Sequence, residues 1–141
     1  MNATATRPAK ARIAVIDDDA MFLDLMRDLL AAGEGYEVVS TDGWLESVEF
    51  VKHARPDLIM LDLMLGRHQN GWAVLELLRE DPSTARIPVI VCSAAVPALE
   101  QVVWPANGHG AVEAVAKPFD VDYLLEVIAR LLSGVNAATR D

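Results

Sequence analysis

Two rhythms of apolar and polar positions alternate along this chain. Four short runs, Ile13-Ala14-Val15-Ile16, Leu58-Ile59-Met60-Leu61, Val89-Ile90-Val91-Cys92 and Ala111 to Ala116, are nearly free of polar residues. The first three are rich in β-branched or large aliphatic side chains, and apolar runs of this length predict strands buried on both faces, the habit of a parallel sheet. A short second strand is predicted over Tyr36–Ser40. Between the runs the spacing changes to that of helices. Asp19 is a predicted N-cap, followed by Phe22, Leu25, Met26, Leu29 and Leu30, and Gly33 is the predicted stop. Asp42 is placed to cap a second helix with Trp44, Val48 and Val51 on one face, and Pro56 ends that connection. A third helix is predicted from about Gly71, with Val74, Leu75 and Leu78 inward and Pro82 closing it. A last one runs from about Asp120 to Leu132 and buries Leu124, Val127, Ile128 and Leu131. Strand and helix thus alternate from end to end, which predicts an α/β fold with helices on both faces of a parallel sheet.

The segment from Pro97 to Gly110 breaks the pattern. Only Ala98–Trp104 fits a helix between Pro97 and Pro105, about two turns, and Asn107-Gly108-His109-Gly110 reads as loop. No internal repeat and no second composition regime occur. The predicted organisation is a flexible arm over residues 1–10, one domain over 11–133 and a short non-helical tail over 134–141.

Composition narrows the function. With 141 residues, 52% of them hydrophobic, the chain can bury a core as a single domain. No apolar stretch reaches the length of a membrane span, and the basic N-terminal arm lacks the apolar centre of a secretory signal. The net charge of −9, with no cluster of Lys and Arg, argues against direct contact with nucleic acid. The single cysteine, Cys92, lies inside an apolar run, where a thiol acts as a small hydrophobe. It can form no intrachain disulfide, and a reducing cytoplasm is the expected location.

Candidate chemistry gathers at the ends of the predicted strands. Asp17 and Asp18 follow the first run, Asp62 the third strand, Ser93 the fourth and Lys117 the fifth. In an open α/β sheet, ligands bind beyond the carboxyl ends of the strands, so these residues are expected at one edge. Two carboxylates about 4 Å apart repel by roughly 4 kcal/mol at an effective dielectric near 20, so a cluster of three calls for a cation. Oxygen donors on a shallow edge suit Mg²⁺, and the absence of clustered His or Cys disfavours zinc. Aspartate also forms acyl-phosphate intermediates. With Asp62 as nucleophile, Mg²⁺ and the Lys117 ammonium neutralise phosphoryl oxygens while the Ser93 hydroxyl and nearby backbone N–H groups donate hydrogen bonds. Asp19 is read as a helix cap only. Trp44 and Trp72 are read as packing or half-exposed helix residues, Trp104 as core or partner contact, and His53, His68 and His109 receive no role.

The stretches Ala14-Val15-Ile16-Asp17-Asp18-Asp19, Pro56 to Leu65, Pro88 to Ala94 and Ala116-Lys117-Pro118-Phe119 together resemble the receiver domain of two-component response regulators. The resemblance extends over about residues 11 to 133. It implies a flavodoxin-like, doubly wound, five-stranded parallel sheet of order 2-1-3-4-5. It also implies Asp62 as phosphoacceptor from a histidine kinase or histidine phosphotransfer protein, Asp18 as direct metal ligand, Asp17 as holder of metal-bound water, and Met64 as a backbone-carbonyl ligand. Ser93 and Lys117 would contact the phosphate, and Lys117–Pro118 would be a cis peptide.

Three departures from that pattern stand out. Gly66 occupies a place where the family has proline, and Arg67-His68-Gln69-Asn70 lengthens the loop by one residue. Ala114 stands where an aromatic switch residue is usual. The fourth helix is short and bracketed by prolines. The leading expectation is a stand-alone, phosphorylation-controlled switch that catalyses only its own phosphorylation and dephosphorylation and signals through an unidentified downstream protein. The alternatives are a constitutive interaction module of the same fold, a receiver fragment of a longer regulator, and a phosphohydrolase using Asp62. The last is disfavoured because Met64, not a second acid, stands two residues after the nucleophile.

Overall fold

Five apolar strands do assemble into one parallel sheet. The structure, a computed structural model, describes residues 10–43, 45–64, 70–94 and 110–140, with the side chains of Asn70, Ser93 and residues 134–140 excepted. The strands are β1 (Arg12–Ile16), β2 (Glu37–Thr41), β3 (Leu58–Asp62), β4 (Val89–Ser93) and β5 (Val112–Ala116), in the order β2-β1-β3-β4-β5. Every neighbouring pair is parallel. The described helices are α1 (Ala20–Met26), continued by a π-helical segment over Arg27–Gly33, then α2 (Ser47–Ala54), α3 (Asn70–Glu80) and α4 (Val121–Arg140).

The alternation of side chains along each strand splits the core into two layers. Ala14, Ile16, Ile59, Leu61, Val89 and Val91 pack with Val51 of α2 and Val74, Leu75 and Leu78 of α3. Their neighbours Ile13, Val15, Leu58, Met60, Ile90 and Cys92 point the other way, onto Met26 and Leu30 of the first helix and Leu124, Val127, Ile128 and Leu131 of α4. Because β1, β3 and β4 are covered on both sides, nearly all their residues are buried, and the apolar runs have that cause.

Several local expectations need correction. Leu25 was placed on the buried face of the first helix but is 55% exposed, while Leu23 packs inward instead. Phe22, Met26 and Leu30 suffice to cover that part of the sheet, and Leu25 lies about 100° round the helix from Met26. Asp42 does not cap α2. Glu46 takes the N-cap position without a side-chain hydrogen bond, and the Ser47 hydroxyl reaches back to the Gly43 carbonyl at 2.5 Å. The expected non-helical tail is helical, since α4 passes Leu132 and Gly134 and continues to Arg140. An interior glycine costs a helix only about 1 kcal/mol relative to alanine, and no proline follows to stop it. Cap and tail differ from expectation for local reasons, and the sheet does not depend on either. Residues 1–9 of the predicted arm, Trp44, the Gly66–Gln69 loop with His68, the predicted helix Ala98–Trp104 and the loop through His109 lie outside the described residues.

Candidate functional site

The parallel register brings the carboxyl ends of β1, β3, β4 and β5 to one edge. Asp62 is the last residue of β3 and stands opposite Cys92. Ser93 ends β4 opposite Ala116, and Lys117 follows directly. Asp17 and Asp18 leave the end of β1, where the Asp17 N–H donates to the Thr41 carbonyl at 3.2 Å and extends the β1–β2 ladder by one bond.

Oxygens of Asp17, Asp18 and Asp62 all lie within 4.8 Å of one another. Asp17 is 1% exposed and Asp62 8%, whereas Asp18 faces solvent. Asp17 Oδ1 accepts from the Asp19 N–H at 3.0 Å, and Asp17 Oδ2 accepts from Lys117 Nζ at 2.6 Å. The same ammonium is 3.6 Å from Asp62 Oδ2. Asp62 Oδ1 accepts from the Met64 N–H at 2.9 Å. One oxygen of Asp62 is thus held by its own turn while the other faces the ammonium. Asp19 acts as the cap expected of it, accepting from the Met21 and Phe22 N–H groups at 3.0 and 3.3 Å. The Lys117–Pro118 peptide is cis.

Electrostatics at this edge are unbalanced. Burial raises the Asp17 pKa above its ordinary value, against the Lys117 hydrogen bond that lowers it, and the Asp62 charge adds to the rise. For Lys117, burial opposes the charged form, but the hydrogen bond to Asp17 and the charges of Asp17 and Asp62 hold its pKa above the usual lysine value. One ammonium serves two buried carboxylates, with a third, Asp18, beside them. An all-oxygen donor set with surplus negative charge fits a hard divalent cation, and Asp17, Asp18 and Asp62 are the side chains that would hold it.

A pH dependence follows. The Lys117 contribution to stability is complete below the ordinary lysine pKa of 10.5 and is lost as pH rises through the higher folded value. Asp17 has the opposite sense for an acid: with a raised folded pKa, its ionisation disfavours the fold as pH climbs from 3.8 through that value. In Lys117→Met the Asp17 charge loses its partner. The expected loss is about 2 kcal/mol at pH 8 in EDTA, less than the 3–5 kcal/mol of a fully buried pair because Lys117 is part-exposed. It should be smaller at pH 5, because a raised Asp17 pKa moves proton uptake in that direction. Urea unfolding at both pH values checks this, and an equal loss at pH 5 and pH 8 would contradict it.

Gly71 is where the sequence reading fell short. The predicted helix start near Gly71 agrees with α3, but the glycine is also a contact residue, which the pattern does not reveal. A Cβ at this position would overlap the Asp62 carbonyl oxygen and the Leu63 Cα and stand 2.8 Å from the Leu63 carbonyl carbon. The Gly71 N–H donates to the Leu63 carbonyl at 3.2 Å, so α3 is seated directly on the chain segment that carries Asp62. The signal available in the sequence was a glycine in an otherwise good helix former, which costs stability unless close approach requires it.

Cys92 lies under the site and is buried, and burial pushes its thiol up to about 12. At pH 8 a small alkylating reagent is expected to leave Cys92 unmodified in the native protein and to label it within minutes in urea, as read by intact mass. Rapid native labelling would show that β4 opens.

Fold and site together define an α/β domain with an acidic cluster at the carboxyl edge of its parallel sheet, and the comparisons give its family. The response regulator receiver domain profile matches residues 13–129, so the chain belongs to that family. It is 37% identical over 123 residues to the DNA-binding dual master transcriptional regulator RpaA of Synechocystis, covering 86% of this chain and 48% of that one. It is 32% identical over 122 residues to the polar-differentiation response regulator DivK of Brucella anthropi, covering 85% of this chain and 94% of DivK. The chain therefore spans about half the length of RpaA and nearly all of DivK. Among solved structures, the CheY-like response regulator receiver domain protein of Methanospirillum hungatei matches with a TM-score of 0.78 at 25% identity, over 92% of this chain and 99% of that one.

Proposed function

We propose that this chain is a stand-alone receiver in which Asp62 accepts a phosphoryl group from a phosphohistidine of a sensor kinase or phosphotransfer protein. Phosphorylation then changes a surface read by a downstream protein. The observation that carries the reading is the division of labour at Asp62: Oδ1 is tied to the Met64 N–H, while Oδ2 points at Lys117. Oδ2 is the attacking oxygen. Its bond to phosphorus forms as the P–N bond of the donor breaks, and the electron pair of that bond stays with the imidazole, which leaves neutral when its other nitrogen is protonated. Lys117 stands one short displacement from the new phosphoryl oxygens, and moving there releases Asp17. The Ser93 hydroxyl is assigned to a phosphoryl oxygen from its place at the end of β4. Mg²⁺, held by Asp17, Asp18, Asp62 and the Met64 carbonyl, would supply the charge neutralisation that phosphoryl transfer needs. Such a protein works in the cytoplasm and turns over no substrate but its own phosphate.

Receivers bias an equilibrium between two states, and a phosphoryl group that only one state holds well is enough to do so. The family profile and the match to nearly all of DivK, itself named a response regulator, support the signalling reading. Ala114 on β5 favours the second reading, a constitutive module, because no ring is available at that position to report the phosphate.

With Mg²⁺ and phosphoramidate, whose P–N bond mimics phosphohistidine, the protein is expected to gain one hydroxylamine-sensitive phosphoryl group by intact mass. EDTA should suppress it. No adduct after rapid quenching, with acetyl phosphate failing as well, would favour the constitutive module. Many phosphates released per molecule would make it an enzyme.

A further inference from the structure

The Lys117 ammonium has a third neighbour besides Asp17 and Asp62. It stands 4.0 Å from the centroid of the Phe22 ring, in cation–π contact. Phe22 lies in the first turn of α1, and its own N–H is held by the Asp19 cap. The ring is held in turn by Phe119, with centroids 6.0 Å apart and planes at 80°. Phe119 follows the cis Lys117–Pro118 bond, so the chain segment that carries the lysine also carries the ring that braces its neighbour.

We infer that Phe22 is a positioning residue for Lys117: its ring face holds the ammonium over the gap between Asp17 and Asp62. The inference rests on the phosphoacceptor reading. The geometry explains why a ring is useful there. Two carboxylates compete for one flexible four-carbon side chain, and the hydrogen bond at 2.6 Å alone would draw the ammonium to Asp17. A ring face attracts the cation without giving it a hydrogen bond and without adding formal charge. It therefore limits the positions Lys117 occupies while leaving it free to move towards Asp62. Leucine at position 22 keeps the apolar volume but has no quadrupole. Tyrosine keeps both.

The test uses Phe22→Leu and Phe22→Tyr in the intact chain, with two readouts. In the unphosphorylated wild type the Lys117 ε-methylene protons are expected upfield of those of the other lysines, through the ring current, in an NMR spectrum assigned by Lys117→Arg. The shift should vanish in Phe22→Leu and persist in Phe22→Tyr. With phosphoramidate and saturating Mg²⁺, the phosphorylation rate should fall about fivefold in Phe22→Leu, the size of one part-exposed cation–π contact, and stay within twofold of wild type in Phe22→Tyr. Unchanged Lys117 resonances or an unchanged rate in Phe22→Leu would overturn the inference, as would an equal loss in both variants. A wild type that takes up no phosphate yet shows the ring-shifted resonances would overturn the phosphoacceptor reading and leave the contact standing.

Discussion

Asp62→Asn is expected to abolish phosphoryl uptake completely while leaving the fold as stable as before, or slightly more so. The amide oxygen can accept from the Met64 N–H as the carboxylate Oδ1 does, so the turn after β3 keeps its hydrogen bond. What disappears is the nucleophile, because an amide does not form an acyl phosphate under these conditions. One negative charge also leaves a crowded edge. Asp17, whose pKa is raised partly by the Asp62 charge, then ionises more readily, and Lys117 is left to pair with Asp17 alone. Mg²⁺ should bind at least tenfold more weakly, since the all-oxygen set loses one of its three carboxylates. Intact mass after phosphoramidate treatment, Mg²⁺ titration and urea unfolding give the three readings. A residual adduct in Asp62→Asn would move the phosphoacceptor elsewhere. A large stability loss would mean that Asp62 serves the fold before it serves chemistry.

The parts of this molecule visible in the sequence are those governed by burial. Ile13–Ile16, Leu58–Leu61 and Val89–Cys92 are apolar because both faces of β1, β3 and β4 are covered, and their ends set where Asp17, Asp62 and Ser93 fall. The order of strands came from the resemblance rather than from any run, since apolar pattern alone does not pair strands. Features that depend on close approach were not visible. Nothing in Arg27–Gly33 distinguishes a π-helix from an α-helix, because both use the same side chains with a different backbone register. Phe22 shows in the sequence only as part of a helical spacing, and its contact with Lys117 requires α1 and the segment after β5 to meet. Lys117 was assigned to phosphate, yet in this state its shortest contact is Asp17, a pairing across about a hundred residues that no local pattern encodes.

Gly71→Ala is expected to cost about 3 kcal/mol or more and to cut phosphorylation along with stability. Overpacking a well-filled site commonly costs 1–3 kcal/mol when side chains can give way. Here the atoms that a Cβ would meet are the Asp62 carbonyl oxygen and the Leu63 backbone, which cannot rotate aside. Either α3 lifts from the sheet, exposing Val74, Leu75 and Leu78, or the end of β3 shifts and takes Asp62 with it. A displacement near 1 Å at a phosphoryl acceptor is enough to lower the rate about a hundredfold. Gly35 provides the comparison. Its φ is +81° and a Cβ there meets nothing within 4 Å, so Gly35→Ala should cost only about 1 kcal/mol of backbone strain and leave phosphorylation unchanged. Urea unfolding and phosphoramidate uptake, measured on both variants, separate the two effects. If Gly71→Ala proved no more costly than Gly35→Ala, the seating of α3 on the phosphoacceptor strand would not be the constraint that places Asp62.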